Sequence, residues 1–107
     1  MVGQIITQLQ IKATGQYVRS LTRLKKKHYP VELIEDCLRA ILNKDHDTLI
    51  KIHDHPLVGQ WRGYREFHPA RIGKASSQLD KWVVVYQIDS DELVLILIET
   101  GNLNVLK

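Results

Sequence analysis

Histidines and carboxylates cluster in one part of this sequence, and these side chains are suited to moving protons. His53, Asp54 and His55 stand together, and Glu66 and His68 follow a little further along. Histidine is the side chain that changes charge closest to neutral pH, which suits it to general acid or base catalysis. On composition alone, we would expect the histidines to be scattered over the surface. A catalytic site therefore requires that the predicted elements bring these residues together.

A predicted strand over residues 62–68 carries half of this group. Side chains alternate between the two faces of a strand, which divides them into two sets: Tyr64, Glu66 and His68 on one face, and Arg65 and Phe67 on the other. A face made of tyrosine, glutamate and histidine does not pack on an apolar core, so we expect it to meet solvent, a partner or a substrate. We expect the rings of His55 and His68 to face one shallow basic cleft, beside Glu66 and either Arg65 or Arg62.

Other site chemistries have little support in the sequence. His53, Asp54 and His55 could bind a metal, but a catalytic zinc site needs a third ligand, and there is no cysteine pair and no His-Glu-x-x-His motif. There is also no glycine-rich phosphate loop. Ser76 and Ser77 lie in loop-like sequence without a nucleophile elbow. We therefore expect a site without a metal or a cofactor.

The elements that position these residues begin with a strand and two helices. Alternating apolar residues predict a strand over residues 5–11, and Thr14 is placed to cap a helix that runs to about His28. Pro30 suits the first turn of a second helix, which closes at about Asn43. The short link between the helices predicts an antiparallel hairpin.

The second half of the chain is predicted to be a meander of strands. A strand is expected over residues 82–88, with Trp82, Val84, Tyr86 and Ile88 on one face. Another is expected over residues 93–98, which are apolar on both faces, as a covered central strand would be. Residues 69–80 have loop composition. Without repeats or linkers, this order predicts a single α+β domain, residues 1–107, in which two N-terminal helices pack on one small, mainly antiparallel sheet.

Length and composition are typical of one globular domain. The chain has 107 residues, enough for one core, and 44% of them are hydrophobic, which argues against disorder. Cys37 has no cysteine partner, the start lacks a signal-peptide pattern, and the longest apolar run, residues 93–98, is too short to cross a bilayer. These features predict a cytoplasmic protein with no membrane contact.

Positive charge is concentrated near the beginning of the chain. The formal net charge is only +3, but six basic residues precede the first acidic one, Glu32: Lys12, Arg19, Arg23, Lys25, Lys26 and Lys27. Such a segment can bind a polyanion or an acidic protein. A solvated helix face explains the same charges equally well.

Three motifs follow one another along the chain. They are Asp54-His55-Pro56-Leu57-x-Gly59-x-Trp61-Arg62-Gly63-Tyr64-Arg65-Glu66-x-His68, then Asp80-x-Trp82-Val83-Val84-Val85-Tyr86, and finally Glu99-Thr100-Gly101. In these motifs the chain resembles the YafQ branch of the RelE/ParE toxin superfamily, and the predicted order of elements matches as well. The resemblance covers nearly the whole chain and implies a RelE-like fold.

The resemblance implies a toxin of a type II toxin–antitoxin system. Such a toxin is a ribosome-dependent endoribonuclease, an mRNA interferase, which cuts mRNA in the ribosomal A site without a metal and so inhibits translation. The implied partner is a DinJ-like antitoxin in a heterotetramer, and operator DNA is bound only through that antitoxin. The reaction is attack of a ribose 2′-hydroxyl on the adjacent phosphate. It needs a base, positive charge at the phosphate, and an acid for the 5′ leaving oxygen.

The resemblance, taken motif by motif, also implies site residues. The implied catalytic residues are His55, His68, Asp80 and Glu66. Glu66 stands where the family often has an aspartate. Asp80 stands one position before the family's aspartate. The RNA-binding candidates are Arg62, Arg65, Lys81 and Trp82. From the charge pattern, we expect an acidic antitoxin to cover either the active face or the basic helix with Arg19, Arg23, Lys25, Lys26 and Lys27.

The end of the chain departs from the family pattern. A histidine is typical shortly after Thr-Gly, but here Leu103 stands at or beside that place, and no residue after Gly101 can donate a proton near pH 7. Loss of a positioned acid costs about a hundredfold to ten-thousandfold in rate. We therefore expect weaker cleavage than in relatives with that histidine. If cleavage is not weaker, another group must supply the proton, and His53 is the nearest spare imidazole in sequence.

Two alternatives stay open on the sequence. One is a protein of the same fold that binds its antitoxin but cuts slowly or not at all. The other is a ParE-like toxin that targets a protein such as gyrase. The paired histidines argue against the second, because a purely protein-binding face does not need them.

Overall fold

Three helices and five strands make up the described part of the chain, residues 10–73, 79–91 and 94–102 of a computed structural model. The helices are α1 (Gly15–Lys26), α2 (Leu33–Asn43) and α3 (His46–Lys51). The strands are β1 (Gln10–Ala13), β2 (His55–Pro56), β3 (Arg65–Phe67), β4 (Trp82–Asp89) and β5 (Val94–Asn102). Short 3-10 helices over Gly59–Trp61 and Pro69–Ile72 stand before and after β3. The start of the predicted first strand, the serine pair Ser76-Ser77 and Leu103 lie outside the described residues.

The strands form one sheet in the order β1-β5-β4-β3-β2. β1 runs parallel to β5, and the other neighbouring pairs are antiparallel, which confirms the predicted α+β fold with a mainly antiparallel sheet. Residues 82–86 of the middle strand, β4, are all buried. The covered central strand is therefore β4, whereas β5 keeps Ile96 and Ile98 partly exposed.

Thr14 fastens α1 to the sheet and begins the helix, as predicted. Its hydroxyl oxygen accepts a hydrogen bond from the Tyr17 amide at 3.0 Å and donates one to the Ile98 carbonyl at 2.8 Å. The first bond is a side-chain N-cap, and the second joins the start of the helix to β5. Arg23, Lys25 and Lys26 occupy the last turn, where cations suit the helix dipole. The helix ends at Lys26, slightly before the predicted end at about His28.

Helix α2 begins at Leu33, later than the predicted start at Pro30, because Val31 and Glu32 form a turn first. It closes where predicted, since Lys44 adopts a left-handed conformation with φ of 54° and its amide bonds back to the Ala40 and Ile41 carbonyls. No helix in the described part of the chain is both long and apolar enough to cross a membrane.

The core lies between the helices and one face of the sheet. The predicted apolar face of β4 supplies much of it, which confirms that the strand pattern was interpreted correctly. The buried members from the sheet are Phe67, Trp82, Val84, Tyr86, Leu95 and Leu97, and those from α1 and α2 are Tyr17, Leu24, Ile34, Cys37 and Leu38.

A bulge in β5 brings Thr100 to the core face beside Trp82. Val85 pairs with Glu99 but Tyr86 pairs with Leu97, so Ile98 is left out of the register. The Trp82 indole donates a hydrogen bond to the Thr100 hydroxyl at 2.9 Å, and the ring is fully buried. The prediction that Trp82 contacts RNA is therefore wrong, because its side chain has no exposed surface.

Strand β3 is shorter than the predicted strand over residues 62–68. Gly59 and Gly63 have φ of 68° and 96°, left-handed values that glycine adopts without the strain of a Cβ. The chain therefore turns through this region, and regular pairing starts only at Arg65. The prediction placed residues 62–64 in the strand and overlooked these turns.

Trp82→Ala should lower the free energy of unfolding by about 3–5 kcal/mol, because it removes a large, fully buried side chain. Lys81→Ala, at the exposed neighbouring position, should change it by no more than about 0.5 kcal/mol. Urea unfolding followed by circular dichroism measures both values. Equal and small effects would contradict the core role of Trp82.

Candidate active site

The pairing of β2 with β3 brings the predicted histidine and glutamate together. His55 lies opposite Glu66 in the register, and its Nε2 is 3.2 Å from Glu66 Oε1. Cross-strand partners share a face, so His55, Glu66 and Val85 form a row on the side of the sheet opposite Phe67 and the core. His55 thus lies in β2, a two-residue strand at the edge of the sheet.

His68 directly follows β3 and is held in one tautomer. Its Nδ1 lies 2.9 Å from the Asp80 carbonyl oxygen, which can only accept, so the ring proton sits on Nδ1 and Nε2 carries a lone pair. Burial lowers the pKa of His68 below its ordinary value of 6.5, and the nearby Arg71 charge acts in the same direction. The ring is therefore neutral at pH 7, with the protonation state of a general base.

His55 has both ring nitrogens engaged. Its Nδ1 donates to the His53 carbonyl at 2.7 Å, and its Nε2 faces the Glu66 carboxyl. This contact pairs the imidazole with a carboxyl group across the two strands. Glu66 itself is buried, and its Oε2 has no hydrogen-bond partner among the described residues.

A stack of imidazoles is the feature of the site that alternation alone did not predict. The His53 ring lies 4.2 Å from the His55 ring and 5.9 Å from the His68 ring, measured between centroids, with interplanar angles of 21° and 10°. His53 has φ of 52°, a left-handed value in which histidine is enriched among non-glycine residues. The only hint of this stack in the sequence was the His-x-His spacing of His53 and His55.

Asp80 reaches the site through its backbone. Its carbonyl holds His68, while its carboxylate accepts hydrogen bonds of 2.7 and 3.0 Å from Arg71. These bonds lower the pKa of Asp80. The structure thus connects Asp80 to His68 by its main chain, and its side chain to Arg71, a residue that sequence reasoning missed in the loop after β3.

Arg65 does not join the histidines. It lies on the other face of β3, where it donates to Asp54 at 2.8 Å and to the Tyr86 hydroxyl at 3.2 Å. The Tyr86 hydroxyl also bonds to Asp54. The prediction of Arg65 in one cleft with His55 and His68 is wrong, because strand alternation points it away and Asp54 already neutralises its charge.

Arg62 and Lys81 are both exposed. Both side chains are therefore accessible to a phosphate. Among the described residues, no hydrogen bond or ion pair connects either of them to the histidine cluster.

The predicted antitoxin-binding residues all lie on or directly after α1, exposed to solvent: Arg19, Arg23, Lys25, Lys26 and Lys27. Within the described ranges none of these five forms an ion pair, and Arg23 donates a 3.0 Å hydrogen bond to Ser20. Their charge is therefore not compensated by an ion pair within the described residues. The described part of the chain has no group of three or more histidine, cysteine, aspartate or glutamate side chains placed to hold a metal ion.

Comparison with known proteins gives one family match and several related structures. Residues 9–106 match the family of YafQ, a bacterial toxin of type II toxin–antitoxin systems. The mRNA interferase toxin YafQ of Escherichia coli strain K12 is 25% identical over 87 residues, which cover 81% of this chain and 84% of that protein. YafQ in the E. coli DinJ–YafQ toxin–antitoxin complex has a TM-score of 0.70 with 25% identity, over 92% of this chain and 97% of that one. A metal-bound toxin from Helicobacter pylori has a TM-score of 0.73 with 24% identity, over 94% and 100% of the two chains, and shows likeness of fold.

NMR titration of the histidine ring carbons should show that His68 is neutral at pH 7, as the Nδ1–H tautomer, with a pKa below 6.5. Arg71→Gln should raise that pKa, because it removes a repelling positive charge and frees the Asp80 carboxylate. The folded state resists protonation of this ring more than the unfolded state does. The group's contribution to stability is therefore present above pH 6.5 and is lost as the pH falls through the lowered pKa. An Nε2–H tautomer would contradict the assignment.

Proposed function

Since this chain belongs to the YafQ family of bacterial toxins of type II toxin–antitoxin systems, we propose that it is an endoribonuclease that cleaves mRNA at the cluster of His55, Glu66 and His68. The observation that carries the proposal is His68, buried, neutral and fixed with its Nε2 lone pair available for a substrate proton. The name of the E. coli relative, mRNA interferase toxin, supports the same substrate class.

The proposed reaction is attack by a ribose 2′-hydroxyl on the adjacent phosphorus. His68 Nε2 takes the hydroxyl proton, the new bond joins O2′ to phosphorus, and the bond from phosphorus to O5′ breaks. The products are a 2′,3′-cyclic phosphate and a 5′-hydroxyl end once the leaving oxygen is protonated. Imidazoles in different protonation states can supply both proton transfers, which is why we propose a metal-independent reaction. Since His68 acts in its neutral form, the rate should rise with pH through its lowered pKa.

His55 and Glu66 have a structural role on the active face. Glu66 is buried beside Val85 and fixes the His55 ring through the 3.2 Å contact. Exposed Arg62 and Lys81 are the proposed phosphate contacts, and Arg65 is no longer among them.

The proposed setting is the cytoplasmic ribosome, where the toxin would cut mRNA in the A site. The proposed partner is an acidic, DinJ-like antitoxin, since the related E. coli toxin was solved in a DinJ–YafQ complex. We further propose two copies of each protein in the assembly, with operator DNA bound through the antitoxin alone. A protein that binds its antitoxin but cuts slowly is the second candidate, and Leu103, in place of the family's histidine, favours it.

His68→Ala should reduce cleavage of ribosome-bound mRNA by about a hundredfold to ten-thousandfold, because it removes the base. Purified ribosomes programmed with a defined mRNA, followed by mapping of 5′ ends and of cyclic phosphate ends, measure the rate and the product. His46→Ala is the matched control, since His46 is exposed on α3 and should leave cleavage unchanged. Undiminished cleavage by His68→Ala would refute the site. If the unaltered chain does not cleave but inhibits gyrase, the function is that of a ParE-like toxin.

Replacing Lys25, Lys26 and Lys27 with glutamine should slow association with the purified antitoxin about tenfold at low salt, because a complementary charge on α1 steers the encounter. Surface plasmon resonance measures the rate, after co-expression and pull-down have identified the neighbouring acidic protein. The control replaces Arg39, Lys44 and Lys51 with glutamine, which removes equal charge from α2 and α3. Unaltered binding by the first variant would show that the basic run is only a solvated face.

A further inference from the structure

His53 lies directly after Ile52, the C-cap of α3, at a turn of the chain that leads into β2. Its amide donates to the Ile50 carbonyl at 3.1 Å, and the next amide, that of Asp54, donates to the Leu49 carbonyl at 3.0 Å. His53 has a left-handed φ of 52°, and the ring of His55, two residues further on, stacks on the His53 ring. Left-handed conformations at residues other than glycine are sparsely populated and cluster at functional sites.

The ring nitrogens of the three histidines are not equally available. His55 has neither free, since one bonds to the His53 carbonyl and the other faces Glu66. His68 has Nδ1 bonded to the Asp80 carbonyl and Nε2 without a partner among the described residues. The exposed His53 ring makes no hydrogen bond or ion pair within that part of the chain. Only His53 and His68 therefore offer a nitrogen to a substrate.

We propose that His53 is the general acid that protonates the 5′ leaving oxygen, a role that rests on the ribonuclease function proposed above. In an in-line displacement, the attacking and leaving oxygens lie on opposite sides of the phosphorus. Each oxygen would hydrogen-bond to its own imidazole at about 2.8 Å. The nearly parallel rings of His53 and His68, with centroids 5.9 Å apart, can flank one such phosphate.

The proton balance closes within these two rings. Neutral His68 accepts the proton of the 2′-hydroxyl, and protonated His53 donates its proton to O5′ as the bond to phosphorus breaks. After product release, His68 loses a proton to water and His53 gains one. The acid then comes from the turn after α3, and not from the C-terminal segment where the resemblance places a histidine.

Several charged and titratable groups surround the His53 ring. His55 and His68 contact it, and Glu66 lies behind His55. Lys51 and Asp54 are close to it in sequence, and Asp54 is already bound by Arg65 and Tyr86. Asp80 and Arg71 lie beyond His68, where they neutralise each other. The rise of the rate with pH belongs to His68, whose pKa is lowered by burial.

His53→Asn tests the proposal, because asparagine tolerates the left-handed backbone but cannot supply a proton near pH 7. Cleavage of ribosome-bound mRNA should fall about a hundredfold to ten-thousandfold. The matched control is His28→Asn, since His28 also has a left-handed φ, 65°, and lies after α1, outside the histidine cluster. His28→Asn should cleave at the rate of the unaltered chain.

A second substrate distinguishes the loss of a general acid from the loss of a residue that only maintains the structure of the site. Sulfur in place of the bridging 5′ oxygen leaves as a thiolate, which needs little protonation because thiols ionise near a pH of about 8.5. On this substrate His53→Asn should recover to within about tenfold of the unaltered chain, while His68→Ala should stay defective. His53→Gln, with circular dichroism of each variant, repeats the test should the asparagine variant unfold.

The outcomes distinguish the two proposals. No cleavage by the unaltered chain would overturn the ribonuclease function and, with it, the role of His53. Cleavage by the unaltered chain with undiminished cleavage by His53→Asn would overturn the acid role alone. A loss in His53→Asn that persists on the sulfur substrate would also overturn it, because the ring would then serve only to position His55.

Discussion

The hydrogen bond from the His68 amide to the Ile52 carbonyl, 2.8 Å long, joins the two halves of the site. Ile52 ends the α3 region and is fully buried, so the carbonyl is fixed by the core. His68 directly follows β3, which is paired to the central strand. Together with the pairing of β2 and β3, this bond holds the turn with His53 and His55 against Glu66 and His68.

The three imidazoles of the cluster lie in different environments. His68, buried and bonded to a carbonyl, stays neutral. His55 is partly exposed and faces Glu66 at 3.2 Å, whereas the His53 ring is exposed and free of hydrogen bonds within the described residues. The proposed acid and base roles rest on these differences in surroundings.

The opposite face of the same strands stabilises this arrangement. Asp54, between the two histidines of the turn, is buried and binds both Arg65 and the Tyr86 hydroxyl. Burial, with Asp54, raises the pKa of Tyr86, so this hydroxyl remains a donor at physiological pH. The edge strand β2 has only two residues, and this network connects it to the central strand β4 more firmly than two ladder residues could alone.

Local patterns in the sequence determined most of the fold, because a capping threonine, a left-handed helix stop and strand alternation each depend on neighbours along the chain. Thr14, the core face of β4 and the separation of Glu66 from Arg65 were all predicted in this way. Motifs also identified His55, Glu66 and His68 as one group. Long-range contacts were not predictable: the bulge that buries Trp82 against Thr100, the pairing of Arg71 with Asp80, and the stacking of His53. These depend on which segments become neighbours in space, and only the tertiary structure decides that.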